Sequence, residues 1–212
     1  MRILIACEES GTLVEEFVKR GFDAYSCDLK PTSGKYPERH FQGDIKDVLK
    51  LAGKWDLIIA HPPCTYLAVS GNRWFKNNPE RVKLREEALE FFRFFYEYDL
   101  CEHIAIENPV GYANSHIAKP SQIVEPWQFG EPFRKKTCLW LKGLPLLKPT
   151  NIVDKGEQIT FASGKKLPKW YADLWALPKE KRQEMRSKTF KGIAEAMAEQ
   201  WGDYLNDINA NR

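Results

Sequence analysis

The chain has 212 residues, of which 43% are hydrophobic and 29% are charged, the ordinary composition of a folded globular protein. Its 32 basic and 29 acidic residues leave a net charge of +3, which is compatible with a nucleic-acid partner without indicating one. No apolar run approaches the roughly 20 residues of a membrane-spanning helix, and acids interrupt the short apolar run at the N-terminus. We therefore expect a protein of the cytoplasm with no membrane partner.

The cysteines carry no signature of a disulfide framework or a zinc site. There are five of them, at positions 7, 27, 64, 101 and 138, and none forms a Cys-x-x-Cys pair. Cys101 and His103 are near neighbours, but a zinc site needs more ligands than these two. We expect reduced thiols and no metal.

Apolar periodicity in the first half predicts alternating strands and helices. In chain order, strands are expected at 2–7, 23–28, the start of 40–45, 55–60 and 103–109, and helices within 8–21, 46–53 and 80–99. Ser10 or Thr12 is expected to cap the first helix. This alternation predicts an α/β fold with a mostly parallel, doubly wound sheet.

The second half is less regular. A strand is expected at 137–143, and a final helix at 187–205 carries apolar residues at fourfold spacing: Ile193, Met197, Trp201 and Leu205. Between them, residues 145–185 are rich in Pro, Lys, Trp and Gly with weak periodicity, which predicts a basic and aromatic surface excursion. We expect one domain over residues 1–212.

The first strand-to-helix turn, "ACEESG", limits the choice of cofactor. It contains a single glycine, Gly11, so the Gly-x-Gly-x-x-Gly fingerprint of NAD- and FAD-binding folds is absent. Asp28 and Asp44 end the next two strands, where carboxylates suit the ribose hydroxyls and adenine amino group of a nucleotide-like ligand. Alternatively, both acids cap helices or lie in solvated turns.

Two strands end at prolines and carry reactive groups beyond them. One leads into His61-Pro62-Pro63-Cys64, and the other ends in Glu107-Asn108-Pro109. In a parallel sheet both would emerge at the same edge, so a thiol nucleophile and a carboxyl acid would converge on one substrate. Proline fixes φ and removes a backbone donor, which holds the cysteine on a rigid loop. The alternative is a small, buried, inert cysteine.

Together these segments resemble the motifs of the DNA (cytosine-5) methyltransferases. "DLIIAHPPCTYLA" resembles the family's Pro-Cys nucleophile motif and "IENPVG" its Glu-Asn motif; "AYSCD" and "GDI" resemble its ribose-contacting and adenine-contacting motifs. "GEPFRKKTCLWLKG" is similar to the basic motif before the sixth strand, and "SKTFKGIAEAMAEQWG" to the C-terminal helix. The order agrees over 1–142 and 187–205. Short phage-encoded methyltransferases have a similar arrangement, which would place this protein in the host cytoplasm.

The resemblance implies a Rossmann-like methyltransferase fold, S-adenosylmethionine as methyl donor, and cytosine in DNA or in a free nucleotide as acceptor. It implies catalytic roles for Cys64, which would add to carbon 6 of the base, and Glu107, which would hydrogen-bond ring nitrogen 3. The cofactor-binding residues that it implies are Glu8, Gly11, Asp28, Asp44 and Pro62. The substrate-binding residues that it implies are His61, Pro63, Asn108, Arg134 and Lys135.

The chain departs from the family in its first motif, in its basic "FRKKT" segment and in His61, which replaces a small residue. Restriction-type relatives also insert a large target-recognition domain where this chain has about forty residues. That segment offers cations to phosphates and aromatic rings to a base: Lys165, Lys166, Lys169, Arg182, Trp170 and Trp175. Relaxed specificity, a single-stranded substrate, a partner subunit, a free nucleotide and a merely solvated loop all remain open.

Two other functions compete with this one. Amino-group DNA methyltransferases carry Asp, Asn or Ser before the two prolines and an aromatic residue after them, where this chain has His61 and Cys64. A non-catalytic binding module on the same fold would account for the atypical first turn. A pure binding module has no need of a thiol beside a carboxyl group.

Overall fold

The computed structural model describes residues 1–211, apart from the side chain of residue 184; Arg212, the last residue of the expected domain, lies outside the described residues. The strands are β1 (Arg2–Ala6), β2 (Asp23–Asp28), β3 (His40–Gln42), β4 (Leu57–Ala60), β5 (Ile104–Pro109), β6 (Gln122–Val124), β7 (Thr137–Lys142), β8 (Gln158–Thr160) and β9 (Lys166–Pro168). The helices are α1 (Thr12–Lys19), α2 (Ile45–Leu51), α3 (Pro79–Tyr96), α4 (Ala113–His116), α5 (Lys169–Asp173), α6 (Lys179–Ser187) and α7 (Lys191–Ala210).

The main sheet has seven strands in the order β3-β2-β1-β4-β5-β7-β6. The five strands from β3 to β5 pair in parallel, whereas β7 runs antiparallel to both of its neighbours. This order, with β7 reversed, is that of the Rossmann-like methyltransferase fold. The predicted mostly parallel, doubly wound sheet is therefore confirmed.

Apolar side chains on both faces of the central strands bury the sheet between two helical layers. On β1, Ile3 and Ile5 pack toward α1 and α7, while Leu4 and Ala6 pack toward α2 and α3. The predicted stripe of α7 is fully buried against the first of these layers: Ile193, Met197, Trp201 and Leu205. A central strand covered on both faces is typical of a parallel sheet, and its carboxyl edge remains free for a site.

The start of α1 differs from the prediction. The N-cap is Gly11, at φ 66°, which makes no side-chain cap bond. Ser10, one residue earlier, accepts a 3.4 Å hydrogen bond at its Oγ from the Thr12 amide. Glu8 lies farther back in the loop, and its Oε1 accepts a hydrogen bond from the Leu13 amide at 2.8 Å. A longer carboxylate therefore satisfies an amide of the first turn, which a short Ser or Thr side chain was expected to do.

The expected excursion at 145–185 contains more regular structure than its sequence indicated. β8 and β9 form an antiparallel hairpin, and α5 and α6 follow it. β8 has three residues, all of them exposed, so it is too short to show a period that a sequence pattern could detect. β6 was missed because it also has only three residues.

The root of the excursion is fastened to α7. The Lys148 amide donates to Gln200 Oε1 at 2.7 Å, and Gln200 Nε2 donates back to the Lys148 carbonyl at 2.8 Å. Trp201 Nε1 donates to the Pro145 carbonyl at 3.0 Å, and Leu147 is buried between these contacts. The chain therefore leaves the sheet through a fixed point on α7.

Two further properties hold for residues 1–211. No helix combines the length and the apolar character needed to cross a membrane. No group of three or more His, Cys, Asp or Glu side chains comes together in a way that could hold a metal ion.

Candidate active site

The loop after β4 is held rigidly at the carboxyl edge of the sheet. The His61 amide extends the β1 ladder by donating to the Ala6 carbonyl at 2.9 Å. Asn108, 1% exposed on the neighbouring strand β5, donates from Nδ2 to the Pro62 carbonyl at 2.7 Å. The Cys64 carbonyl then accepts from two amides one turn later. The two proline-terminated strands are thus joined directly, and the position of Cys64 is defined by both of them.

Cys64 lies half-buried among charged groups. Burial raises the pKa of its thiol above the ordinary value, and the nearby Glu107 carboxylate adds to this increase. Lys135 and Arg186 act in the opposite direction, because positive charge stabilises a thiolate. The thiol and the carboxyl group predicted to converge therefore do so, and two cations accompany them.

Glu107 pairs with His61. Its Oε2 lies 3.1 Å from His61 Nδ1, and both side chains are largely buried. Burial acts to raise the pKa of Glu107, but the His61 hydrogen bond and the Lys135 charge outweigh it and hold the pKa below its usual range. Glu107 is therefore a carboxylate at neutral pH, and it needs a proton before it can donate one.

Glu8 is buried and interacts electrostatically with His61. Burial raises the pKa of this carboxyl group, although the Leu13 amide and the nearby His61 act to lower it. Its Oε2, His61 Nε2 and Asn108 Oδ1 are all buried without a hydrogen-bond partner among the described residues. Three unpartnered polar atoms on adjacent loops mark this edge as a place for polar ligands or water.

The acid that ends β2 and the acid that follows β3 lie near the neighbouring loop. Burial is the largest cause that raises the pKa of Cys7, and Asp28 and Asp44 add to it, so both carboxylates are close enough to act on this thiol. Asp44 also caps α2, since its Oδ1 accepts from the Lys46 amide at 2.8 Å. Asp44 is therefore a helix cap, as the alternative interpretation expected, and it also lies at the edge where a ligand could bind.

Gly11 serves the packing of this loop. Its φ is 66°, and a Cβ at this position would lie 2.9 Å from the Cα of Gly34. The β1–α1 loop thus contacts the loop after β2 so closely that only glycine fits. No ligand is needed to explain Gly11.

The basic segment before β7 reaches the same edge. Lys135 Nζ donates to the Arg186 carbonyl at 2.9 Å, which fastens the end of α6 near Cys64. Arg134 is half-buried, and its Nε has no hydrogen-bond partner among the described residues. Its carbonyl accepts from Trp170 Nε1 at 3.3 Å. Of the expected substrate-binding set, His61, Asn108 and Lys135 border the thiol and carboxyl groups, whereas Pro63 faces outward.

No protein-family model matches the chain, and no curated protein matches it. Several solved structures do. A protein described as a DNA modification methyltransferase of an E. coli prophage is 18% identical, with 73% of this chain and 52% of that chain covered and a TM-score of 0.44. S. pombe Dnmt2 methyltransferase is 20% identical, with 69% of this chain and 52% of that chain covered and a TM-score of 0.46. The Entamoeba histolytica methyltransferase EhMeth is 16% identical, with 72% of this chain and 57% of that chain covered and a TM-score of 0.46.

The chain spans about half the length of these proteins. The side chains at the carboxyl edge of the sheet are therefore the basis for assigning a reaction to this chain.

Arg186 was missed by the sequence. It lies at the end of α6, stacks over the Tyr171 ring at 4.5 Å and acts electrostatically on Cys64. No local motif surrounds it, and it is remote in sequence from the cysteine, so sequence alone offered no signal.

The two tryptophans of the excursion that were expected to contact a base lie in different surroundings. Trp170 packs edge-on against Phe133 and Phe190, so it joins the excursion to the sheet. Trp175 is half exposed and stacks on Phe161 away from that joint. A cleft opens between the excursion and the first loop, lined by Glu9, Lys30, Pro178, Glu180 and Lys181.

Proposed function

We propose that the chain is an S-adenosylmethionine-dependent methyltransferase that acts on carbon 5 of cytosine, in DNA, through a covalent cysteine adduct. The observation that carries this proposal is the junction of the two proline-terminated strands. There a thiol, a carboxyl group and two cations meet on a backbone that the Asn108–Pro62 hydrogen bond holds in place.

Cys64 is the nucleophile. The thiolate is the reactive form, and burial together with Glu107 disfavours it in the free protein. Neutralising Glu107 with a proton removes one of these two causes. Lys135 and Arg186 then favour the thiolate. The protonation of Glu107 and the ionisation of Cys64 therefore support each other.

Glu107 is the acid. As the sulfur–carbon 6 bond forms, the electron pair of the 5,6 double bond moves toward ring nitrogen 3, which takes a proton from the Glu107 carboxyl group. Carbon 5 then becomes nucleophilic. After methylation, a water molecule takes the proton from carbon 5, which re-forms the 5,6 double bond and expels the thiolate. A base within a duplex must leave the stack to reach this site.

The residues at the ends of β1, β2 and β3 fit S-adenosylmethionine. Asp28 and Asp44 offer carboxylate oxygens suited to ribose hydroxyls and an adenine amino group. Glu8 Oε2 is a buried, unpartnered acceptor suited to an ammonium group. Gly11 and Pro62 would shape the backbone beside it. When bound, the cofactor supplies the methyl group.

The basic residues near Cys64 support a nucleic-acid or nucleotide substrate. Lys135 and Arg186 act on Cys64 as positive charges, and Arg134 precedes Lys135 in the chain, so this edge suits phosphate. DNA is the first candidate substrate, and a free cytidine nucleotide is the second. The second is favoured by the Lys135–Arg186 contact, which holds α6 close to the thiol and so suits a small substrate.

The test is transfer of labelled methyl from S-adenosylmethionine to duplex DNA, single-stranded DNA, dCMP and dCTP, with identification of the labelled product. We expect 5-methylcytosine from DNA and its complete loss in Cys64→Ala. Cys101→Ala is the matched control, because this buried cysteine lies before β5, at the opposite edge of the sheet, and it should retain activity.

Each other outcome has a definite meaning. Label on a free nucleotide alone would replace DNA with the second substrate class. Label on an amino group that survives Cys64→Ala would contradict the covalent mechanism and favour an amino-group methyltransferase. Absence of both transfer and cofactor binding would favour a non-catalytic binding module.

A further inference from the structure

Three largely buried ionisable side chains interact within the candidate site. His61 pairs with Glu107, whose Oε2 is 3.1 Å from His61 Nδ1, and it interacts electrostatically with Glu8 of the β1–α1 loop. His61 Nε2 and Glu8 Oε2 are both buried and without a partner among the described residues. An imidazole flanked by two carboxyl groups is an arrangement that can hold and pass a proton.

The proposed reaction requires a source for the proton that Glu107 donates. Glu107 must donate a proton, yet its surroundings keep it ionised. Resting on the proposed function, we infer that His61 holds the proton that Glu107 gives to ring nitrogen 3, and that Glu8 stabilises the cationic form of His61. His61 acts only through Glu107, so it is a positioning residue that also relays a proton.

The step balances in protons and charge. A proton leaves His61 Nδ1 for the Glu107 carboxylate, and the carboxyl group gives a proton to ring nitrogen 3 as the thiolate adds to carbon 6. His61 changes from cation to neutral, and the adduct from anion to neutral. When the thiolate is expelled, nitrogen 3 returns its proton to Glu107 and His61.

Several other charged groups lie near these three side chains. Lys135 acts electrostatically on Glu107 and Cys64, Arg186 acts on Cys64, and the Glu107 charge acts on the thiols of Cys64 and Cys138. Glu107 and Glu8 are the two acidic groups that interact with His61.

Two substitutions at one position separate the relay from simple support. His61→Asn keeps a hydrogen-bond donor close to the place of Nδ1 but has no ionisable proton to transfer near neutral pH, and His61→Ala removes both. A support role predicts that Asn restores most of the activity that Ala loses. The relay predicts that both variants lose kcat/KM by about 100-fold at pH 8.

The pH profile gives a second, independent criterion. Without His61, Glu107 must carry the proton alone, so the alkaline limb of the kcat/KM profile should move to lower pH. The loss should therefore be several-fold smaller at pH 6 than at pH 8. Glu8→Gln, which keeps the Oε1 acceptor for Leu13, should shift the same limb by a smaller amount.

The experiment measures methyl transfer from pH 5.5 to 9 on the substrate that wild type uses. It compares wild type, the two His61 variants and Glu8→Gln, with His103→Asn as the matched control. His103 also forms a hydrogen bond through Nδ1, donating to the Gly143 carbonyl at 2.7 Å, but it precedes β5 at the opposite edge. His103→Asn should keep the wild-type profile. Rescue by His61→Asn, or a loss equal at pH 6 and pH 8, would overturn the relay.

A measurement without turnover separates this inference from the proposed function. A ¹³C NMR titration of the Glu107 carboxyl carbon should give a higher pKa in His61→Ala than in wild type, because the hydrogen bond that lowers it is gone. If wild type transfers no methyl group, the proposed function fails, and this titration still tests the pair. An unchanged Glu107 pKa would contradict the His61–Glu107 contact itself.

Discussion

Asn108 supports the candidate site by holding a neighbouring loop in place. It is buried on β5 and supplies the one side-chain hydrogen bond described to the Pro62 carbonyl, while its own Oδ1 has no partner among the described residues. Prolines have no backbone N–H, so Pro62 and Pro63 can form backbone hydrogen bonds only through their carbonyls, which accept from donors elsewhere in the protein. Asn108 therefore transmits the position of β5 to the loop that carries Cys64.

Replacing Asn108 should weaken both stability and activity. Asn108→Ala leaves a buried carbonyl without a donor and opens a small space, which should cost about 2 kcal/mol in the free energy of unfolding. Methyl transfer should fall because Cys64 is no longer held on its loop. Urea denaturation beside Asn209→Ala, an exposed asparagine on α7, is the measurement. Equal stability of the two variants would show that the Pro62 contact is unimportant.

At the scale of elements, α7 is positioned by the close approach of its first turn to another loop. A Cβ on Gly192 would lie 1.8 Å from the Phe129 carbonyl oxygen, and the Gly192 amide donates to Glu131 Oε2 at 2.9 Å. Glycine is unfavourable inside helices, so its presence here reflects packing rather than propensity. The start of α7 is therefore fixed against the loop that leads to the basic segment.

Gly192→Ala should destabilise the protein although alanine favours helix. The propensity gain is about 1 kcal/mol, while the clash with backbone forces a shift that should cost about 2–3 kcal/mol. The net effect is a lower urea midpoint. Gly43→Ala is the control, since a Cβ there meets nothing within 4 Å. A Gly192 variant at least as stable as this control would contradict the packing argument.

For the molecule as a whole, the five thiols share one property. Burial is the largest cause that raises the pKa of each: Cys7, Cys27 (to about 12), Cys64, Cys101 and Cys138. On unfolding, each thiol returns to its ordinary range. At alkaline pH the unfolded chain therefore loses thiol protons that the folded chain keeps, and stability falls as the pH rises.

This linkage predicts steep alkaline destabilisation. The stability is fully present below the unfolded thiol pKa of about 8.5, and it should decline above that value by up to about 1.4 kcal/mol per pH unit for each thiol. Urea denaturation at pH 7.5, 8.5 and 9.5 under reducing conditions measures the slope. Cys101→Ala removes one thiol and should show a shallower slope. An identical slope in that variant would contradict the contribution of Cys101.

How far the sequence predicts this molecule depends on how local each feature is. β1, β2, β4 and β5 were predicted nearly to the residue because buried strands show continuous apolar runs, and the stripe of α7 repeats every fourth residue. The meeting of Cys64 and Glu107 followed from parallel topology alone. Pairings such as His61 with Glu107, or Arg186 with Cys64, join loops that have no shared pattern, so only the structure reveals them.

The fastening of Lys148 to Gln200 has a consequence for how this fold can diversify. The excursion leaves at Lys148 and ends where α7 begins at Lys191, so both of its ends are anchored to the same helix. Lengthening a loop with fixed ends is inexpensive, since each doubling adds only about 0.6 kcal/mol of closure entropy. The length of the excursion can therefore change at little cost in closure entropy, as long as the contacts of Trp170 and Arg186 with the basic segment are kept.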